Sequence, residues 1–444
     1  MNKKSLLTAA GAAGMTLASA APACAQSTAP TLNSGDTAWM LISSAIVLMM
    51  TRPGLALYYG GLLRRKNILA MLMQCFFATA MITMLWCIVG YSLAFTQGSG
   101  PLAPLVGGFS RVMLNGTGLN GLDGTIPETV FAFFQCTFAI ITPVLVLGGP
   151  ADRLKFSSSM LFLGVWLLLV YCPIAHMVWG PGGLLNVAGV LDFAGGTVVH
   201  TNSAVAGLIA AIMVGPRTGY GRQNMAPGDL GMTVTGAALL WVGWFGFNAG
   251  SALTAGGQAG MAAINTHLAT ASAVVSWTLV EWIVKGKPSV LGFCSGAVAG
   301  LVVITPACGY VTPQGSIAIG IAAGIIPWFF VYKVKGWFGY DDALDTFGVH
   351  AIGGTLGALM TGMLARNAAN PNFATNMSAY VTDKLFQPLV WEQVKAIGVT
   401  LLLVIPGTII CAYITKALVG LRPTEEIEVA GLDLAEHGEE GYHS

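Results

Sequence analysis

The chain has 444 residues and a net charge of +1, and it is 55% hydrophobic but only 9% charged. Soluble globular proteins carry about 25% charged residues, so this composition excludes a water-soluble fold and specifies a polytopic membrane protein. No basic patch tracks a phosphate backbone, which excludes a nucleic-acid surface.

Residues 1–25 read as a secretory signal. Lys3 and Lys4 form a positive start, a short apolar run follows, and Ala23-Cys24-Ala25 is a small-x-small cleavage site. The apolar run is too short to span a bilayer. A signal of this type points to a bacterial protein with its mature N-terminus outside the cytoplasm. A membrane domain over 26–419 and a polar tail over 420–444 follow. Lipidation at Cys24 is disfavoured because "APA" precedes it without the usual leucine. The other seven cysteines sit mostly in apolar runs and form no C-x-x-C pair. They read as small buried hydrophobes, with no disulfide framework or metal site.

A spanning helix needs about 20 mostly apolar residues. Eleven such runs occur, near 37–61, 68–95, 126–149, 157–179, 196–215, 229–250, 258–284, 288–307, 314–335, 345–365 and 389–419. The loops between them alternate in charge. One set holds Arg64, Arg65 and Lys66, then Arg153 and Lys155, Arg217 and Arg222, Lys285 and Lys287, Lys333 and Lys335. The other set is nearly bare, with Arg111, Arg366 and Lys384 its scattered cations. The positive-inside rule makes the first set cytoplasmic. The N-terminus is then outside and the C-terminus inside, as the signal segment independently requires.

The fifth run, "GTVVHTNSAVAGLIAAIMVG", parallels the tenth, "DTFGVHAIGGTLGALMTGML". Each has Val-His and then a glycine seven residues later, Gly207 and Gly357. Five helices separate the two copies, and an odd number inverts the second. The expected fold is therefore all-α, with eleven transmembrane helices: an inverted repeat of two five-helix halves plus one extra helix. Such repeats place their site near the midplane, between the halves, so His200 and His350 should share one depth. One intramembrane histidine is as readily structural, bonded to a backbone carbonyl. Two at matching repeat positions point to a pathway. A metal pair is disfavoured, because no carboxylate or thiol stands at ligand spacing beside either ring. Two imidazoles can instead share one hydrogen, and a dry setting favours the neutral rings.

Asp192 stands eight residues before His200, roughly 12 Å along a helix. It reads as a cap for orphan backbone N–H groups. The acidic tail "LRPTEEIEVAGLDLAEHGEEGYHS" reads either as a disordered end or as a docking element for a soluble partner.

"DFAGGTVVH", "GWFGFNAGSA", "PGLALYYGGLLRRKN", "PIAHMVWGPGG", "GKPSVLGFCSGAVAGLVVITPACGYV" and "DDALDTFGVHAIGG" together resemble the Amt/Rh family of ammonium transporters, on its bacterial Amt side. The resemblance runs from about residue 37 to the tail. It implies an ammonium transporter of the bacterial inner membrane and a homotrimer with one pore per subunit. It implies no enzyme activity and no cofactor. The pore's twin histidines would be His200 and His350. An outer ammonium-recruiting site would comprise Trp179, Phe138 and Ser251, and Phe138 and Phe247 would gate the pore below it. Asp192 would be a structural residue near the site. The tail resembles the family's C-terminal region, which cooperates with docking of a PII signalling protein. Without the resemblance each of these aromatics would read as packing.

Two features depart from the family pattern. Arg52 precedes Pro53 where an apolar residue is usual, about 8 Å from the cytoplasmic face. It reads as an arginine snorkelling to the interface, with a charge at the inner pore mouth as the alternative. Pro150 and Asp152 replace a small residue and a glutamate in a cytoplasmic loop. The rival function is an ammonium sensor of the same fold with little conduction. A gas channel of the Rh type is disfavoured by the bacterial-type motifs.

Overall fold

The computed structural model describes residues 31–370 and 380–442. The expected signal segment, 1–25, lies outside the described residues. Eleven apolar helices follow in order: α1 (Ser34–Leu62), α2 (Arg65–Phe95), α3 (Glu128–Val146), α4 (Phe156–Val187), α5 (Gly196–Val214), α6 (Leu230–Ala249), α7 (Gly257–Lys285), α8 (Val290–Ile304), α9 (Pro313–Phe338), α10 (Phe347–Leu364) and α11 (Leu389–Val419). A hairpin of two short strands, β1 (Leu122–Asp123) and β2 (Ile126–Pro127), turns at Gly124 before α3. The all-α fold agrees with the sequence reading: among the described residues ten of these helices are long and apolar enough to cross a membrane, and α8 is a shorter apolar helix.

Three spans are less regular than apolar runs suggest. Pro53 interrupts α1, and Arg52 leaves helical backbone at φ −136° and ψ 110°. The residue before a proline is pushed out of the helical region by the proline ring. Helix α4 breaks after Trp179, where Gly180 is extended at φ −74° and ψ 158°. Helix α8 has only 15 residues, short for a bilayer core of about 30 Å. Buried turns complete its path, and Asn265 of α7 satisfies their carbonyls by donating to Cys308 O at 2.8 Å and Val311 O at 2.7 Å. Irregular backbone at membrane depth persists only where protein supplies such partners.

The two halves meet through small residues. A Cβ on Gly354 of α10 would lie 2.5 Å from the carbonyl oxygen of Gly196 in α5. Within each half the repeat glycine packs in the same way: a Cβ on Gly207 would approach Val146 O of α3 at 3.2 Å, and one on Gly357 would collide with Val303 O of α8. Close approach of backbones replaces the hydrophobic effect, which cannot drive helices together in lipid. Helix α11 packs outside the repeat along α4, α5 and α10. Six of the seven described cysteines are buried and Cys87 is half-buried.

The tail is folded, which corrects the reading of a disordered end. Its helix α12 (Glu425–Ala430) buries Glu428, which accepts from Arg422 Nη2 at 2.6 Å and from the Thr218 backbone at 2.7 Å. The Asp433 carboxylate accepts from the backbone of Leu69 at 3.0 Å and Ala70 at 2.7 Å, in the first turn of α2. Glu436 accepts from the Phe156 backbone at the start of α4, at 2.9 Å. Tyr442 donates to Asp229, the N-cap of α6, at 2.7 Å. Helix N-termini carry partial positive charge and unpaired N–H groups, so the acidic residues are placed where they are stabilised. The same face holds the basic loops. Arg64 and Arg217 both pair with Asp152, and Arg217 also pairs with Asp341 at 2.7 Å. Asp152 sits at φ 72°, a left-handed conformation in which Asp and Asn are enriched.

Glu428→Ala is expected to loosen α12 by about 2 kcal/mol, some thirtyfold in the open population. Limited proteolysis should then cut the tail faster while the membrane helices persist. Unchanged cleavage would mean that Glu428 does not hold the tail down.

Candidate functional site

Two cavities lie on either side of a stacked aromatic pair. The larger, of about 430 Å³, is lined by Phe138, Trp179 and Ser251, among others. The indole of Trp179 lies edge-on to Phe138, with ring centres 5.9 Å apart at 87°. Its Nε1 donates to the Asp192 carbonyl at 2.9 Å, which fixes the ring plane. The Ser251 hydroxyl donates to Phe247 O at 2.8 Å, so its oxygen lone pairs stay available to an incoming N–H donor.

Below the cavity the Phe138 and Phe247 rings stack at 4.1 Å and 17°. Both are almost wholly buried. Beyond them lie His200 and His350, whose Nδ1 atoms stand 3.3 Å apart. One ring donates and the other accepts across that contact. The cavity beside the pair holds only about 10 Å³ and is lined by Leu55, Val199, Leu240, Trp244, Val298 and other apolar side chains. That is the lower limit for one water. Nε2 of His200 is buried with no hydrogen-bond partner among the described residues.

The backbone explains how the rings meet. His200 and His350 each lie in the first turns of their helices, α5 and α10. The chain before α5 is not helical. Gly195 takes φ 111°, a left-handed value suited to glycine. Asp192 therefore lies off the helix and folds back under its first turn. Its carboxylate accepts from the backbone of Gly195, Gly196, Thr197 and Val198 at 2.8, 2.6, 2.8 and 3.2 Å, and from the Thr197 hydroxyl. Asp192 thus caps α5, and its contacts are internal.

Two residues were missed by the sequence reading. Asp342 stands eight residues before His350, as Asp192 does before His200, and accepts from the Phe347 backbone at 2.7 Å. Burial raises its carboxyl to about 6. The repeated spacing of eight was the available signal. Trp244 stacks on His200 at 5.4 Å and 18° and donates to Thr305 Oγ1 at 2.9 Å. It stands three residues before Phe247, but an aromatic residue in a lipid-soluble helix carries no distinguishing pattern. Arg52 is not among the residues lining the histidine cavity. Its guanidinium lies 5.2 Å from the ring centre of Phe76 on α2, a ring that is 48% exposed.

A sequence model described as the Ammonium Transporter Family matches residues 38–442. The chain belongs to that family. It is 45% identical over 413 residues to the ammonium transporter of Bacillus subtilis, covering 92% of this chain and 98% of that protein. The crystal structure of Saccharomyces cerevisiae Mep2 superposes with a TM-score of 0.82 at 32% identity, over 89% of this chain and 91% of that one. A structure described as "Sensor Amt Protein" superposes with a TM-score of 0.80 at 26% identity, over 91% and 98% of the two chains. The match runs from α1 into the tail, ending at residue 442.

Proposed function

We propose that this family member transports ammonium across the bacterial inner membrane and is not an enzyme. The observation that carries the reading is the stacked Phe138–Phe247 pair set directly outside a buried, nearly dry histidine pair. Burying a bare ammonium ion there costs many kcal/mol. The Trp179, Phe138 and Ser251 cage holds the cation outside, where an aromatic face supplies about 0.5–2 kcal/mol. The ion passes its proton to water at the gate, and neutral ammonia passes the apolar walls. His200 and His350 are its polar company inside, and the proton follows a separate path. Potassium has no proton to lose and is rejected.

Orientation follows from the basic loops. The tail face is cytoplasmic, the cage opens outside, and residues 1–25 are removed as a signal peptide. Family likeness supports a homotrimer and a PII-type partner on the tail face. The test is the current across proteoliposomes after an ammonium pulse, with potassium as control. A transient current with ammonium alone is expected. Ammonium binding without current would instead support the sensor reading, to which the likeness to the described sensor protein also points.

A further inference from the structure

The outer cavity has a wall that the cage does not use. It is lined by Asp123 of β1 and by Gln135, Phe131 and Phe95. Asp123 is half-buried, and its carboxylate has no hydrogen bond or ion pair among the described residues. The nearby cation is taken elsewhere. Arg111 pairs bidentately with Glu128, at 2.7 and 3.1 Å, and Tyr91 donates to the same carboxylate at 3.1 Å. Burial, with Glu128 adding to it, pushes the Asp123 carboxyl above the usual carboxylate range. A cation in the cavity would relieve that cost.

A second observation points the same way. Gln135 is 8% exposed, and its Oε1 is buried without a partner among the described residues. A buried acceptor left unpaired costs about 1–3 kcal/mol, which a turn of the amide toward a donor in the cavity would relieve. The rings of Phe95 and Phe131 meet edge to face at 5.1 Å and give the same wall aromatic surface. One carboxylate, one amide oxygen and aromatic faces suit a small monovalent N–H cation. They do not suit calcium, which takes six to eight oxygen ligands.

We infer that Asp123 and Gln135 form an outer collecting position for ammonium, ahead of the Trp179–Phe138–Ser251 cage. The inference rests on the transport reading and adds a residue to it. Asp123 raises the local ammonium concentration at the cage, so it acts on the half-saturating concentration and leaves the maximal rate in place.

The test compares ammonium-evoked currents of the wild type, Asp123→Asn and Asp123→Glu in proteoliposomes, over a range of ammonium concentrations and at two ionic strengths. Asp123→Asn is expected to raise the half-saturating concentration about three- to tenfold, as loss of one steering charge should. Its maximal current should stay within about twofold of the wild type, and Asp123→Glu should restore the wild-type value. Added salt should weaken the wild type and barely affect Asp123→Asn. Poor folding of a variant would scale only the maximal current. Wild-type currents that saturate at the same concentration as those of Asp123→Asn, at both ionic strengths, would overturn the inference and leave transport standing. A wild type with no ammonium current would overturn both.

Discussion

Replacing His200 and His350 together by alanine is expected to lower the ammonium-specific current ten- to a hundredfold. On the proposed route ammonia would be surrounded by Leu55, Val199, Leu240 and other apolar groups, with about 10 Å³ of free space beside the rings. The unpaired Nε2 of His200 is a buried polar atom on that path. A buried hydrogen-bonding group without a partner loses about 1–3 kcal/mol, and each 1.4 kcal/mol on a barrier is about tenfold in rate. The measurement is the transient current at saturating ammonium, normalised to reconstituted protein, with potassium as control. A double variant that keeps the wild-type current and still excludes potassium would reduce both rings to packing.

The second large effect is on stability. Asp192→Ala is expected to cost several kcal/mol, about 4 or more, and to lower the thermal midpoint of the purified protein by about 4 °C or more. The carboxylate takes four backbone N–H groups and one hydroxyl at a position that is 5% exposed. Alanine leaves all of them dry and unpaired. It also uncovers the positive end of α5. Asp192→Asn keeps one accepting oxygen and should fall between the two. An alanine variant that melts with the wild type would sink the capping role.

The spans were legible because lipid leaves few choices. A helix must satisfy its own backbone and match the bilayer, so hydropathy and length locate it within a few residues. The inversion was legible because a shared Val-His and glycine spacing survived in both halves. The break in α1 was signalled only by Pro53, inside a run apolar enough to hide it. The disordered alternative for the tail failed for a physical reason. Its carboxylates look like solvent groups until the N-termini of α2 and α4 are known to lie beside them, and that is a tertiary fact. Asp342 repeats the spacing of Asp192 and could have been found. Trp244 and Asp123 could not, since a single aromatic or acidic residue means nothing until the chain folds around it.

The docked tail has a consequence for synthesis. Asp433 receives the backbone N–H of Leu69, 364 residues earlier in the chain. At about 5–20 residues per second, the start of α2 waits roughly 20 to 70 seconds for its partner. Glu436 closes α4 in the same last stretch. A ribosome stopping after α11 would leave every membrane helix made and two of them open at the end. The first turns of α2 and α4 are therefore closed by residues made after every membrane helix.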